Sequence, residues 1–236
     1  MRAEHDDRRG FLVVAGTIGA GALLTACAPA VAAPSKAPGT KEADEVSPVE
    51  DLMREHGVLR RVLLLYQEVA RRIEHQEPFP LEVLTSAAGI VRRFIEDYHE
   101  KLEEDFIFPR FEKANKLVDL VTVLRQQHQA GRRVTEAVQG LATPALVQSA
   151  EGRPKLVAAL QAFSRMYAPH AAREDTVLFP ELRALVGAKD YDTLGDAFED
   201  KEHALFGPQG FEGVVAEVAQ LEKTLGIYDL ASFTPR

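Results

Sequence analysis

Two segments of this chain place an imidazole and a carboxylate at helical spacing. His99 and Glu103 stand four residues apart, as do His170 and Glu174. Both pairs run on through an acid and a short apolar stretch to Phe-Pro: His99-Glu100-Lys101-Leu102-Glu103-Glu104-Asp105-Phe106-Ile107-Phe108-Pro109 against His170-Ala171-Ala172-Arg173-Glu174-Asp175-Thr176-Val177-Leu178-Phe179-Pro180. Residues four apart on a helix share a face, about 6 Å from one another, so each pair can offer a nitrogen and an oxygen to one centre. Upstream, His56 followed by Arg60-Arg61-Val62 matches His128 followed by Arg132-Arg133-Val134. The copies are offset by 71 and 72 residues, which reads as a duplicated helical hairpin with one ligand set in each copy. His203 follows His170 by 33 residues, close to the 29 between His99 and His128, and looks like the opening of a third, truncated copy.

Such donors hold metal. The single cysteine, Cys27, excludes both an internal disulfide and a thiolate-rich site. Imidazole and carboxylate without thiolate favour iron or manganese over structural zinc, though imidazole-rich sites also take zinc or copper. The set His56, His99, Glu103, His128, His170, Glu174 and His203 supplies five nitrogens and two carboxylates. If both carboxylates and an oxo or hydroxo group bridge two six-coordinate iron ions, one position stays open for a small ligand. His75 and Glu100 are alternative donors for the place given to His203.

Around that set, Glu104, Asp105 and Asp175 read as solvated acids or as hydrogen-bond acceptors for ligating imidazoles. The Arg60-Arg61 and Arg132-Arg133 pairs read as their counter-charges. Tyr167 lies one turn before His170, where it either packs or donates a hydrogen bond to a bound oxygen species. A ferritin-like di-iron site wants Glu-x-x-His on two helices. Glu96 stands three before His99, but Tyr167 takes the equivalent place before His170, so that pattern fails in the second copy.

From Ser47 onward apolar residues recur every three and four positions, which predicts an all-α fold. The period and its interruptions give helices over 48–76, 80–107, 116–140, 154–178 and 190–225. Breaks are expected at Pro78-Phe79-Pro80, at Pro109, over 140–154 and at Pro180. Four helices would form a core bundle, with the fifth packed against it.

Ahead of the helices the chain reads as an address. Charged residues 1–9 precede an apolar run, Phe11 to Ala26, that is too short for a comfortable membrane span. Arg8-Arg9-Gly10-Phe11-Leu12 resembles a twin-arginine export motif, with Asp7 in place of the usual Ser or Thr and Val13 in place of the usual Lys. Leu24-Thr25-Ala26-Cys27 resembles a lipobox, in which Cys27 becomes a lipid-bearing amino terminus. This divides the chain into a signal peptide (1–26), a flexible linker from Cys27 to residue 48, and a metal-binding domain (49–236). The expected location is the bacterial cell envelope, exported and lipid-anchored, facing the periplasm or extracytoplasmic space. A formal net charge of -8 argues against nucleic acid as a partner.

The paired His-x-x-x-Glu segments before Phe-Pro, each preceded by an isolated helical histidine, resemble those of hemerythrin and the hemerythrin-like histidine-histidine-glutamate cation-binding domains. The resemblance is strong over 49–180. It implies an up-and-down four-helix bundle with an additional C-terminal helix, and a non-haem di-iron centre at His56, His99, Glu103, His128, His170 and Glu174. Oxygen-carrying members show His-x-x-x-His on the third helix and His-x-x-x-x-Asp on the last. Here Arg132 and Glu174 depart from that pattern, closer to members proposed for sensing, iron handling or nitrosative-stress repair. The readings are therefore a centre that binds or senses dioxygen or a related ligand, an enzyme reducing nitric oxide or peroxide, or an iron storage or delivery protein. No second cofactor motif supplies electrons and the redox partner is unknown, which tilts the reading toward ligand binding over turnover.

Overall fold

A computed structural model describes residues 46–235. The signal-like segment, its arginine pair and Cys27 lie outside the described residues. Helix α1 (Pro48–Glu74) begins as expected: the Ser47 side chain accepts from the Glu50 N–H at 3.3 Å, Pro48 sits in the first turn, and Glu50 and Asp51 face the positive end of the helix dipole. Helix α2 runs over 81–113, α3 is Val118–Leu141, α4 is the short Pro144–Gln148, and α5 runs over 152–185. Helices α6 (Ala188–Phe206) and α7 (Gly210–Leu225) close the chain. Among the described residues there is no strand.

Three boundaries differ from expectation. Helices α2 and α5 do not stop at Pro109 and Pro180; they pass through them by widening. A proline cannot donate to the carbonyl four residues back, and its ring crowds that carbonyl. In both copies the turn before it opens into π-helix, Glu103–Ile107 and Glu174–Leu178, with the Phe108 N–H reaching the Glu103 carbonyl and the Phe179 N–H the Glu174 carbonyl. The proline thus expands the turn that begins at each candidate ligand. The predicted helix over 190–225 is two helices, because Gly207 (φ 70°) and Gly210 (φ 40°) reverse the chain between α6 and α7.

Helix α1 packs against α5, α7 and α2, and α5 also packs along α3; α6 and α7 lie against each other and against α1. The buried faces carry Leu52, Leu59, Tyr66, Phe94, Phe108, Phe163, Phe179 and Phe198. Helices α3 and α5 touch closely at Gly131, where a Cβ would collide with the Tyr167 hydroxyl. Gly140, near the end of α3, has open space around it. Gly131→Ala should therefore lose about 1–3 kcal/mol of stability through the forced shift of a buried tyrosine. Gly140→Ala should gain about 0.5–1 kcal/mol from helix propensity alone. Urea unfolding reads both, and equal effects would contradict the packing described.

Candidate metal centre

The duplicated hairpins deliver all six donors to one place in the interior. Helix α1 carries His56, α2 carries His99 and Glu103, α3 carries His128, and α5 with its π-turn carries His170 and Glu174. None is more than 4% exposed. The four imidazoles turn their Nε2 atoms inward, and they do so in pairs. Nε2 of His56 and Nε2 of His99 are 3.0 Å apart, and those of His128 and His170 are 3.3 Å apart.

Each glutamate touches both pairs. Glu174 Oε2 lies 3.3 Å from His56 and 3.0 Å from His170; Glu103 lies 3.3 Å from His128 through Oε2 and 3.8 Å from His99 through Oε1. Donor atoms of Glu103, His128, His170 and Glu174 all fall within 4.8 Å of one another, as do those of His56, His99 and Glu103. Both oxygens of Glu103 and both of Glu174 are fully buried without a hydrogen-bond partner. Buried carboxylates are not left unpartnered at no cost, and these four oxygens, facing four imidazole nitrogens, have the composition of a metal-binding site. A bound metal would be held from two sides, by His56 with His99 and by His128 with His170, with Glu103 and Glu174 between the two pairs.

The outward nitrogens are held just as regularly. Nδ1 of His99 meets Glu55 at 2.6 Å and Nδ1 of His170 meets the Gln127 carboxamide oxygen at 2.8 Å. Nδ1 of His56 meets Asp175 at 2.6 Å, and Nδ1 of His128 meets Glu104 at 3.1 Å. Hydrogen bonds at Nδ1 fix the tautomer that leaves Nε2 free to ligate and orient each ring.

The supports are exchanged between hairpins. Glu103, Glu104 and Phe108 of the first copy all serve His128 of the second, while Glu174, Asp175 and Phe179 of the second serve His56 of the first. Phe108 stacks on His128 at 5.4 Å and Phe179 on His56 at 5.5 Å between ring centres. Arg60 pairs with Asp175, and Arg132 pairs with Glu104 at 2.8 Å. Asp105, by contrast, is exposed.

The remaining sequence-derived residues separate. His203 is exposed on α6 and is not brought to the cluster. The buried face of α6 is drawn by Leu194, Phe198 and Glu202 at four-residue steps, and His203 stands one position off it. His75 is exposed just past the end of α1. Glu100 is buried beside the cluster, but it accepts from the Tyr167 hydroxyl at 2.5 Å and lies 2.8 Å from Arg132. Tyr167 thus packs edge-on against His170 and spends its hydroxyl on Glu100. Glu55 and Gln127 were not singled out in the sequence. Their signal was there, since each immediately precedes the isolated histidine of its copy.

The match of the hemerythrin HHE cation-binding domain model to residues 47–182 covers every one of these donors. The chain belongs to that family. Among the relatives of this HHE protein, one uncharacterized protein of Mycobacterium bovis and two of Mycobacterium tuberculosis are each 46% identical over 232 residues, covering 97% of this chain and 91% of each relative. No solved structure matches it.

Protonation in the metal-free site follows from the same contacts. Burial pushes His128 down to about 4 and His99 well below the usual imidazole range. Burial also disfavours charge on His56, but Asp175 and Glu174 outweigh it and raise His56 to about 9. Of the two glutamates, burial and the neighbouring Glu174 push Glu103 far up, whereas His170 and His56, overriding burial, hold Glu174 far down. Below about pH 9 a proton therefore sits on His56, where a metal needs a lone pair, and the upward shift of Glu103 favours a proton there too. Metal loading at about neutral pH should expel at least one proton per chain, and affinity should rise with pH toward about 9. Calorimetry in buffers of different ionisation enthalpy reads this directly; a heat independent of buffer would contradict it.

Proposed function

We propose that this HHE protein is an envelope lipoprotein whose helical bundle holds a non-haem di-iron centre that binds or senses dioxygen or a related small ligand. The observation that carries the reading is the convergence of four inward Nε2 atoms on two buried carboxylates that have no protein partner of their own. Nitrogen and oxygen donors without thiolate suit iron in either common oxidation state. In this reading His56 and His99 hold one ion, His128 and His170 hold the other, and Glu103 and Glu174 bridge them. Helices α1, α2, α3 and α5 would be the up-and-down four-helix core, with α6 and α7 as the C-terminal addition.

Four imidazoles instead of five leave each six-coordinate ion short of donors even with a solvent-derived bridge between them. The centre, when loaded, supplies the redox chemistry and the open coordination. The chain's own part is to position and exclude. The donors are no more than 4% exposed and lie against Phe108 and Phe179, which keeps bulk water away from them. Tyr167 is tied to Glu100, so the protein offers no free hydroxyl from that side to a bound ligand.

Reduced, iron-loaded protein exposed to air should give a reversible visible charge-transfer band. His99→Ala and His170→Ala should lose most of the iron and the band, while His203→Ala keeps both. Irreversible oxidation without the band would remove the carrier reading, and catalytic loss of added nitric oxide or peroxide would replace it with the enzyme. Iron retained by both ligand variants would contradict the site itself.

The lipobox-like Leu24-Thr25-Ala26-Cys27 after the arginine pair supports export and anchoring. Among the described residues no helix is long and apolar enough to cross a membrane, so attachment would rest on the lipid. Wild type should fractionate with membranes and Cys27→Ser should be released. A Cys27→Ser protein that still partitions with membranes after signal cleavage would contradict the anchor.

A further inference from the structure

The duplicated site is not symmetric where its outward nitrogens are held. The residue just before each isolated histidine supports the second imidazole of its own hairpin: Glu55 meets Nδ1 of His99 at 2.6 Å, and Gln127 meets Nδ1 of His170 at 2.8 Å. The two positions are equivalent in the repeat, yet one carries a carboxyl and the other a neutral carboxamide. The other two supports are matched in kind, Asp175 on His56 and Glu104 on His128.

Neighbouring cations widen the difference. Arg60 pairs with Asp175, but Glu104 is held by both Arg132 at 2.8 Å and Lys101 at 2.6 Å. Lys101 has no counterpart, since Ala172 takes its place in the second copy. Glu55 is fully buried, and Arg54 beside it turns to Asp51 and Glu212 instead. The His56 and His99 side is therefore backed by two carboxyls and one cation, and the His128 and His170 side by one carboxylate and two cations. A ring that ligates through Nε2 carries its proton on Nδ1, and an acceptor that draws on that proton makes the opposite nitrogen a stronger donor. Burial raises the Glu55 carboxyl to about 8 in the metal-free protein, which makes it a more avid acceptor than an amide oxygen.

We infer, on the strength of the dinuclear reading proposed above, that Glu55 and Gln127 are positioning residues that make the two metal positions unequal. The position at His56 and His99 takes the first divalent cation and holds it more tightly than the position at His128 and His170. Exchanging the group behind a ligating histidine changes metal affinity by about ten- to a hundredfold. Glu103 and Glu174 touch both pairs of histidines and so do not discriminate between them.

Titration of metal-free, full-length protein with cobalt(II), followed by visible absorption and calorimetry, tests this without iron or any small ligand. Wild type should take two ions per chain in two resolved steps. Glu55→Gln, which keeps an oxygen for Nδ1 of His99, should weaken the first step about tenfold and leave the second unchanged. Gln127→Glu should tighten the second step several-fold and leave the first nearly unchanged. The double exchange should restore the two steps of the wild type, which accumulated structural damage would not do. Gln127 is only half-buried, so Gln127→Glu serves alone if variants at Glu55 fail to fold. Weakening of the second step by Glu55→Gln, or two steps that neither exchange moves, would overturn the inference and leave the dinuclear reading standing. A single cobalt per wild-type chain would remove that reading and the inference with it.

Discussion

Four imidazole Nε2 atoms and two carboxylates that meet in a dry interior with only each other to face are the constraint on which the structure depends. Desolvating a carboxylate costs several kcal/mol, and Glu103 and Glu174 are fully buried beside one another with only the imidazoles against them. Protonation relieves part of that, which is the state the metal-free contacts favour for Glu103. Bound cations would relieve the rest, and a metal held there would then be part of what holds the bundle together.

The rest of the fold answers that requirement in duplicate. Each hairpin presents its isolated histidine to the other hairpin's Glu, following acid and Phe, so neither copy has a complete centre alone. Asp175 takes His56 and Arg60 together, and Glu104 takes His128 and Arg132 together. The Phe-Pro ending contributes twice: phenylalanine stacks on the partner histidine, and proline opens the helix into the π-turn beginning at the ligating glutamate. A hairpin with the donors but without these supports would leave the imidazoles free to rotate.

Much of this was legible in the chain because a repeat of helical period states both the element and the face. The six donors at positions 56, 99, 103, 128, 170 and 174 follow from it, as do the helix starting at Ser47 and the loop at Pro78-Phe79-Pro80. Prolines misled the boundaries: read as stops, Pro109 and Pro180 are widenings that a continuous helix absorbs when tertiary packing holds both sides. His203 misled by approximate spacing, since one helical position, about 100°, separates an exposed histidine from the buried face that carries Glu202. Glu55 and Gln127 escaped because a single residue beside a ligand has no helical period of its own, although each holds the same place just before the isolated histidine of its copy.

The most direct test of the centre is X-ray absorption at the iron edge on protein loaded with two irons per chain. The structure predicts a metal–metal scattering path together with multiple scattering from about two imidazoles per iron, the number set by His56 with His99 and His128 with His170. Iron that shows no metal–metal path, or no imidazole scattering, would contradict a dinuclear centre built by the duplicated hairpins.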